Sequence, residues 1–324
     1  MTRASRAGFS LADLLVVVGL ISLLITMSLP AIQRVRAMAD RVRCENRLRQ
    51  IGIAIHHFDV DYGSLPYLER PPGPLTVESL THPRIALHWM VHLLPYVERA
   101  PLWNQALQGL ASGAFAWRNP PHAGLATVIP LYTCPADGRM SAAMRDADGI
   151  VAAYTSFAGV AGAYLHANGM FGQRGLRLTD ALDGTSTTLL VGERPPPDTL
   201  QAGKWYIWQV GYQSTWGYNN LGPELVFARG SSHDDPSGNC FRGPLPFKAT
   251  TLWDPCGRYH FWSLHSGGAN FLFVDGHVQF LRYHDDPILP ALATRNGGGG
   301  LLMAAHEPRK TPARPPPPRA PFLT

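Results

Sequence analysis

Cysteine is scarce in this sequence, with four among 324 residues, and no two of them form a Cys-x-x-Cys pair. That argues against a zinc ribbon. There is no Gly-x-Ser-x-Gly elbow and no His-Glu-x-x-His run, and no cysteine has an evident histidine partner in sequence. The usual carriers of nucleophilic and zinc-hydrolase chemistry are therefore missing, and the chain is expected not to be an enzyme. Acidic residues are outnumbered, 23 against 28 basic, for a net charge of +5. The basic excess is local, however: Arg34, Arg36, Arg41, Arg43, Arg47 and Arg49 cluster early, and Arg309, Lys310, Arg314 and Arg319 cluster late. No aromatic-interleaved basic groove accompanies them, so no nucleic-acid partner is expected. Charge is missing altogether from Leu14 to Leu29. After that run there is also no small-residue cleavage site of the ordinary secretory kind, because Pro30 stands where the cut would fall.

What is present begins with that segment. Phe9 to Leu29, as a helix rising about 1.5 Å per residue, spans roughly 31 Å, one hydrocarbon core. The small residue, Gly8, precedes the apolar run instead of following it. The order Gly8-Phe9, then Asp13 at the fifth place after the glycine and Pro30 at the twenty-second, resembles the type IV prepilin leader. The resemblance implies a prepilin peptidase that cuts after Gly8 and methylates the new N-terminal Phe9, leaving the helix on the mature protein. The family usually carries glutamate where Asp13 stands, and the implied role of that carboxylate is to pair with the Phe9 amino group of an incoming subunit. A carboxylate within a spanning segment is costly and tends to be paired.

Beyond Pro30 the helical pattern continues to about Phe58, but its apolar face changes. Ile32, Val35, Met38, Ala39 and Val42 share one side, and Cys44, Leu48, Ile51, Ile55 and Phe58 share nearly the opposite one. The first stripe is expected to face a membrane or neighbouring subunits, the second the protein's own globular domain. Two helices with a break near Arg43 would fit the same pattern. Cys240 and Cys256 enclose a short loop and are the natural local pair, leaving Cys44 for Cys134, one of three pairings available to an exported chain.

Residues 59–293 read as an α+β domain on an antiparallel sheet. Leu87–Leu94 and Tyr96–Leu107 are expected to be helices separated by Pro95. Thr179 is expected to cap a turn that ends at Gly184. Strands are expected at Thr187–Glu193, Trp205–Val210, Leu225–Arg229 and Tyr259–Leu264. Two β-prone runs joined by Asp275-Gly276 predict a hairpin with a two-residue turn. His265 precedes it and is expected to lock the Ser-Gly-Gly entry loop by a hydrogen bond. From residue 294 on, the glycine run Gly297–Gly300 and the prolines Pro315–Pro318 cannot bury a core and are expected to form a disordered tail.

The prepilin N-terminus together with His265, nine residues, then Asp275-Gly276 is similar to a large family of pilin-like proteins of unknown biochemical function with a C-terminal His-x9-Asp-Gly domain. Cys44–Tyr62, Leu94-Pro95-Tyr96, Cys134-Pro135-Ala136-Asp137 and Asp183-Gly184-Thr185-Ser186 add to the likeness, which covers residues 8 to 285. It divides the chain into a leader (1–8), a membrane and pilin helix (9–58), the globular domain (59–293) and the tail (294–324). The family resembles the pseudopilins of type II secretion. A structural subunit or envelope scaffold in the inner membrane follows, with its domain outside the cytoplasm, partnered by other pilin-like subunits through the N-terminal helix. The rival expectation is a tethered module binding a glycan or another envelope polymer, with Trp205, Trp208 and Trp216 as its platform. Neither cofactor nor metal is expected: His88 and His92 lack a third ligand in sequence, and Asp180, Asp183 and Asp275 have turn duties enough.

Overall fold

The computed structural model describes residues 11–66, 82–163, 168–171, 175–200, 202–207, 225–227, 240 and 245–297. Gly8, Phe9, Trp208, Trp216 and the tail beyond residue 297 lie outside them, as does the side chain of Asp13.

One helix, α1 (Leu11–Tyr62), runs 52 residues without a break and keeps Pro30 in its interior. At about 1.5 Å per residue it is roughly 78 Å long. It is continuous through Arg43, so the change of apolar face occurs on a single rod. Val35, Met38 and Val42 are exposed, whereas Cys44, Leu48, Ile51 and Ile55 are fully buried. The C-terminal half packs on the domain and the N-terminal half projects from it.

The segment after α1 differs from expectation around Pro95. Two single turns, α2 (Pro83–Ala86) and α3 (Trp89–His92), are followed by a 3-10 turn at Leu94–Val97 that contains Pro95. Proline is tolerated there because the first N–H groups of a helical turn have no internal partner. Glu98, in the left-handed region at φ 60°, ends that turn, and α4 (Ala100–Ala111) starts afresh with Pro101 in its first turn. Leu178–Asp180 is likewise a single 3-10 turn; the Asp180 carboxylate, not Thr179, holds its start by accepting from Arg177 N.

A small hairpin pairs β1 (Met144–Arg145) with β2 (Val151–Ala152). The main sheet contains β3 (Phe157–Gly162), β4 (Leu189–Glu193), β5 (Leu225–Phe227), β6 (Gly268–Phe273) and β7 (Val278–Arg282), in the order β5-β3-β4-β6-β7. Its pairings are antiparallel except β3 with β5, which run parallel. The architecture is α+β, a long helix packed on a largely antiparallel sheet. One face of the sheet contributes Phe157, Val191 and Leu272 to a core shared with Leu48, Ile51 and Ile55 of α1. The other presents Val160, Leu189, Phe271 and Phe273 to Phe247, Phe261 and the C-terminal turn α5 (Leu289–Leu292). Burial on both faces explains why β3, β4 and β6 are buried at every position.

Of the expected strands, Tyr259–Leu264 does not form, and Trp205–Val210 is described only as far as residue 207. Within 202–207 there are only isolated bridges, Lys204 to Tyr154 and Ile207 to Leu87. Residues 260–264 follow a 3-10 turn at Pro255–Tyr259 and are not strand. In the main sheet the unexpected strand is β3, whose Ala- and Gly-rich sequence has low strand propensity and is held by neighbours on both sides; the short β1 and β2 were not expected either. Trp205 is buried and donates its indole N–H to Thr127 O at 2.9 Å, so it serves the core and offers no platform to a ligand.

Candidate functional site

The two ends of the His-x9-Asp-Gly stretch meet α1 at two separate places. At the first, Cys44 of α1 is disulfide-bonded to Cys134, with Cα atoms 5.5 Å apart across 90 residues of sequence. Cys134 follows a 3-10 turn at Pro130–Tyr132 and is fixed by its N–H donating to Ser156 Oγ at 2.9 Å. The His265 ring lies against this bridge: Nε2 is 3.4 Å from Cys134 Sγ and 3.3 Å from Glu193 Oε1. A disulfide sulfur and a carboxylate oxygen only accept, so Nε2 carries the hydrogen shared between them.

Glu193 is positioned by the sheet register. Gly192 of β4 stands opposite Phe271 of β6, which sets the next residue against Asn270. Asn270 donates its backbone N–H to Glu193 Oε2 at 2.7 Å and its side-chain amide to Oε1 at 3.2 Å. Glu193, Asn270 and His265 are all buried. A buried carboxylate is costly unless hydrogen-bonded and paired, and this one has three donors facing it.

The His265 ring does not lock the entry loop. Ser263 does so: its hydroxyl donates to Gly268 O at 2.7 Å and accepts from His265 N at 3.0 Å. The imidazole is left for the disulfide and the glutamate.

At the second place the hairpin turn docks on α1. Phe273 N–H donates to His277 O and Gly276 N–H to Phe273 O, so the loop has three residues, not two. Only Gly276 takes positive φ, 92°, the position that a three-residue hairpin loop reserves for glycine. Asp275 instead accepts from His277 N at 3.0 Å and from His277 Nδ1 at 2.6 Å. Backbone N–H groups of Val274 and Asp275 donate to Thr188 O and Thr185 O. The Val274 carbonyl, in turn, accepts from His56 Nε2 of α1 at 2.9 Å.

Arginines once counted as surplus charge take part in the same docking. Arg47 donates to Thr133 O at 2.6 Å, beside Cys134, and burial lowers its pKa, with the charge of Arg43 adding to the effect. Arg41 lies over the Phe280 ring of β7 at 4.8 Å. Gly52 belongs to this contact as well, because a Cβ there would sit 2.9 Å from Leu272 Cδ1 of β6.

Other expected residues take structural positions. Cys240 and Cys256 form the second disulfide. Asp183 accepts from Gly297 N at 2.7 Å. Pro30 lies on the projecting half of α1. His88 and His92 are buried beside aromatic rings, His88 against Trp89 and His92 against Phe58 and Trp103. Sequence reasoning missed Glu193 and Asn270; the available signal was an acidic residue ending an otherwise apolar buried strand, Leu-Leu-Val-Gly-Glu.

A family model described as "Protein of unknown function (DUF1559)" matches residues 33–287. That range holds both disulfides, Glu193 and the whole His265-to-Gly276 stretch, and it begins within α1, past the apolar segment. No curated protein and no solved structure matches the chain.

Proposed function

Since the chain belongs to this family of unknown function, DUF1559, we propose from its own geometry that it is a membrane-anchored, pseudopilin-like structural subunit or envelope scaffold, processed by prepilin peptidase. The observation that carries the proposal is the division of α1. From Leu14 to Leu29 its large apolar side chains are exposed, and the helix is long and apolar enough to cross a membrane. Leaving so many such side chains in water is unfavourable, about 1.5–3 kcal/mol for each large one that could be buried. Lipid or the same segment of other subunits would cover them. The C-terminal half is tied to the domain by a disulfide, by His56 and by Arg47, so a load on the exposed half would pass into the domain through covalent and hydrogen-bonded contacts.

Non-catalytic work fits the candidate site, where His265 and Glu193 are buried and engaged with the disulfide and Asn270. Two disulfides favour an extracytoplasmic domain, since reducing compartments keep thiols apart. The membrane concerned would then be the inner membrane, with the domain on its outer side. The test is alkaline extraction combined with thiol trapping in unreduced cells. The chain is expected to stay with the membrane pellet, and its four cysteines to resist alkylation until reduced. Release into the wash would overturn the anchor, and four reactive thiols would overturn the placement.

A further inference from the structure

Cys44, Cys134, Glu193 and His265 each offer one ligand atom, and these four atoms lie within 4.8 Å of one another in a buried pocket. We propose that, when the Cys44–Cys134 disulfide is reduced, this cluster binds one zinc ion through two thiolates, His265 Nε2 and the Glu193 carboxylate. The inference concerns only the four side chains and does not depend on the membrane proposal.

The geometry fits before any rearrangement of backbone. Zinc takes four such ligands tetrahedrally, with bonds of about 2.3 Å to sulfur and about 2.0–2.2 Å to nitrogen and oxygen. Neighbouring ligand atoms in that arrangement are therefore roughly 3.3–3.8 Å apart. His265 Nε2 already stands 3.3 Å from Glu193 Oε1 and 3.4 Å from Cys134 Sγ. Reduction lets the two sulfurs part from bonding distance to about 3.8 Å, a movement that rotation about the cysteine Cα–Cβ bonds supplies. The outer shell is in place too. Asn270 holds Glu193 through both oxygens, the kind of support that orients a ligating carboxylate.

The chemistry balances with a thiol or phosphine reductant. The reductant gives two electrons to the disulfide and two protons complete the thiols; zinc then displaces both protons and binds two thiolates. His265 must bind as neutral imidazole with its hydrogen on Nδ1, so Nε2 exchanges its hydrogen for the metal. Affinity should consequently rise with pH. The ion would join α1 and the Cys134 loop, as the disulfide does, and tie both to the end of β4 and the loop before β6. The helix would stay docked in either redox state.

The test uses the full chain in detergent, reduced by a phosphine under inert gas and titrated with cobalt(II) as a spectroscopic stand-in. One cobalt per chain is expected, with thiolate charge-transfer absorption and the visible bands of a tetrahedral site, displaced by zinc. The oxidised chain should show neither. His265→Ala and Glu193→Gln should each weaken binding by about tenfold or more, provided each variant in its oxidised state keeps the near-ultraviolet circular dichroism of the parent. No charge-transfer band in the reduced parent, or equal affinity in the folded variants, would overturn the proposal. If the reduced parent unfolds, zinc must restore its circular dichroism; a chain that stays unfolded with zinc overturns the proposal equally. If His265→Ala fails to fold, His265→Asn and Glu193→Gln decide the matter.

Discussion

His56 of α1 and Val274, 218 residues later, are joined by one hydrogen bond: His56 Nε2 donates to the Val274 carbonyl at 2.9 Å. Val274 is the first residue of the three-residue loop that contains Asp275 and Gly276, so the turn is not a free tip but a seat for the helix. His265 lies against Cys134, the partner of Cys44, so the stretch is linked to α1 through the bridge at residue 44 and directly at residue 56, about 18 Å apart along the rod. A helix held at two separated points cannot pivot easily against its domain.

Removing the seat should have a modest, measurable cost. His56→Ala should lower unfolding free energy by about 1 kcal/mol, the net worth of one hydrogen bond, by moving the urea midpoint without changing the slope. An unchanged midpoint would mean that the contact carries no stability.

The two disulfides should differ in what they contribute. By the chain-entropy model, the loop of 90 residues closed by Cys44–Cys134 is worth about 4.6 kcal/mol and the loop of 16 closed by Cys240–Cys256 about 3.1 kcal/mol. The double variant Cys44→Ser/Cys134→Ser should therefore lose about 1.5 kcal/mol more than Cys240→Ser/Cys256→Ser in chemical denaturation. The reverse order would contradict the account of Cys44–Cys134 as the main staple.

Acid should weaken the domain starting close to neutrality. Burial holds His88 well below its ordinary value and lowers His260 as well, so both stay neutral in the folded chain while the unfolded chain protonates them. The stability they contribute is complete above the unfolded value of about 6.5 and is lost as pH falls below it. Each adds a slope of up to about 1.4 kcal/mol per pH unit until its folded value is reached. Urea midpoints between pH 7.5 and 5.5 check this, and His88→Asn should flatten the dependence, whatever it does to absolute stability, leaving the part carried by His260 and by His122, which burial also lowers.

Much of this architecture was legible in the residues. The face swap on α1 between Val42 and Cys44 follows from periodicity, and the short loop between Cys240 and Cys256 pointed to one of the three possible disulfide pairings, with which the turn of Cys44 toward the domain agrees. The hairpin was legible too, but its loop length was not, because Asp-Gly suits both a two-residue turn and the three-residue loop in which only Gly276 needs positive φ. The interior strand β3 was missed because Ala158, Gly159, Ala161 and Gly162 carry no strand preference of their own; long-range pairing on both edges imposes it. Glu193 was missed because its value lies in what faces it, Asn270 and His265, which are distant in sequence. Buried ion pairs share that property: Lys204 and Asp146 meet at 2.7 Å with no signal in either segment.

The central claim, a prepilin-processed anchor, is tested most directly at the N-terminus of the native protein. Intact mass and N-terminal sequencing should find a mature chain that begins at N-methylated Phe9 and retains the apolar helix. A chain that begins at Met1, or one cut after Leu29, would contradict it.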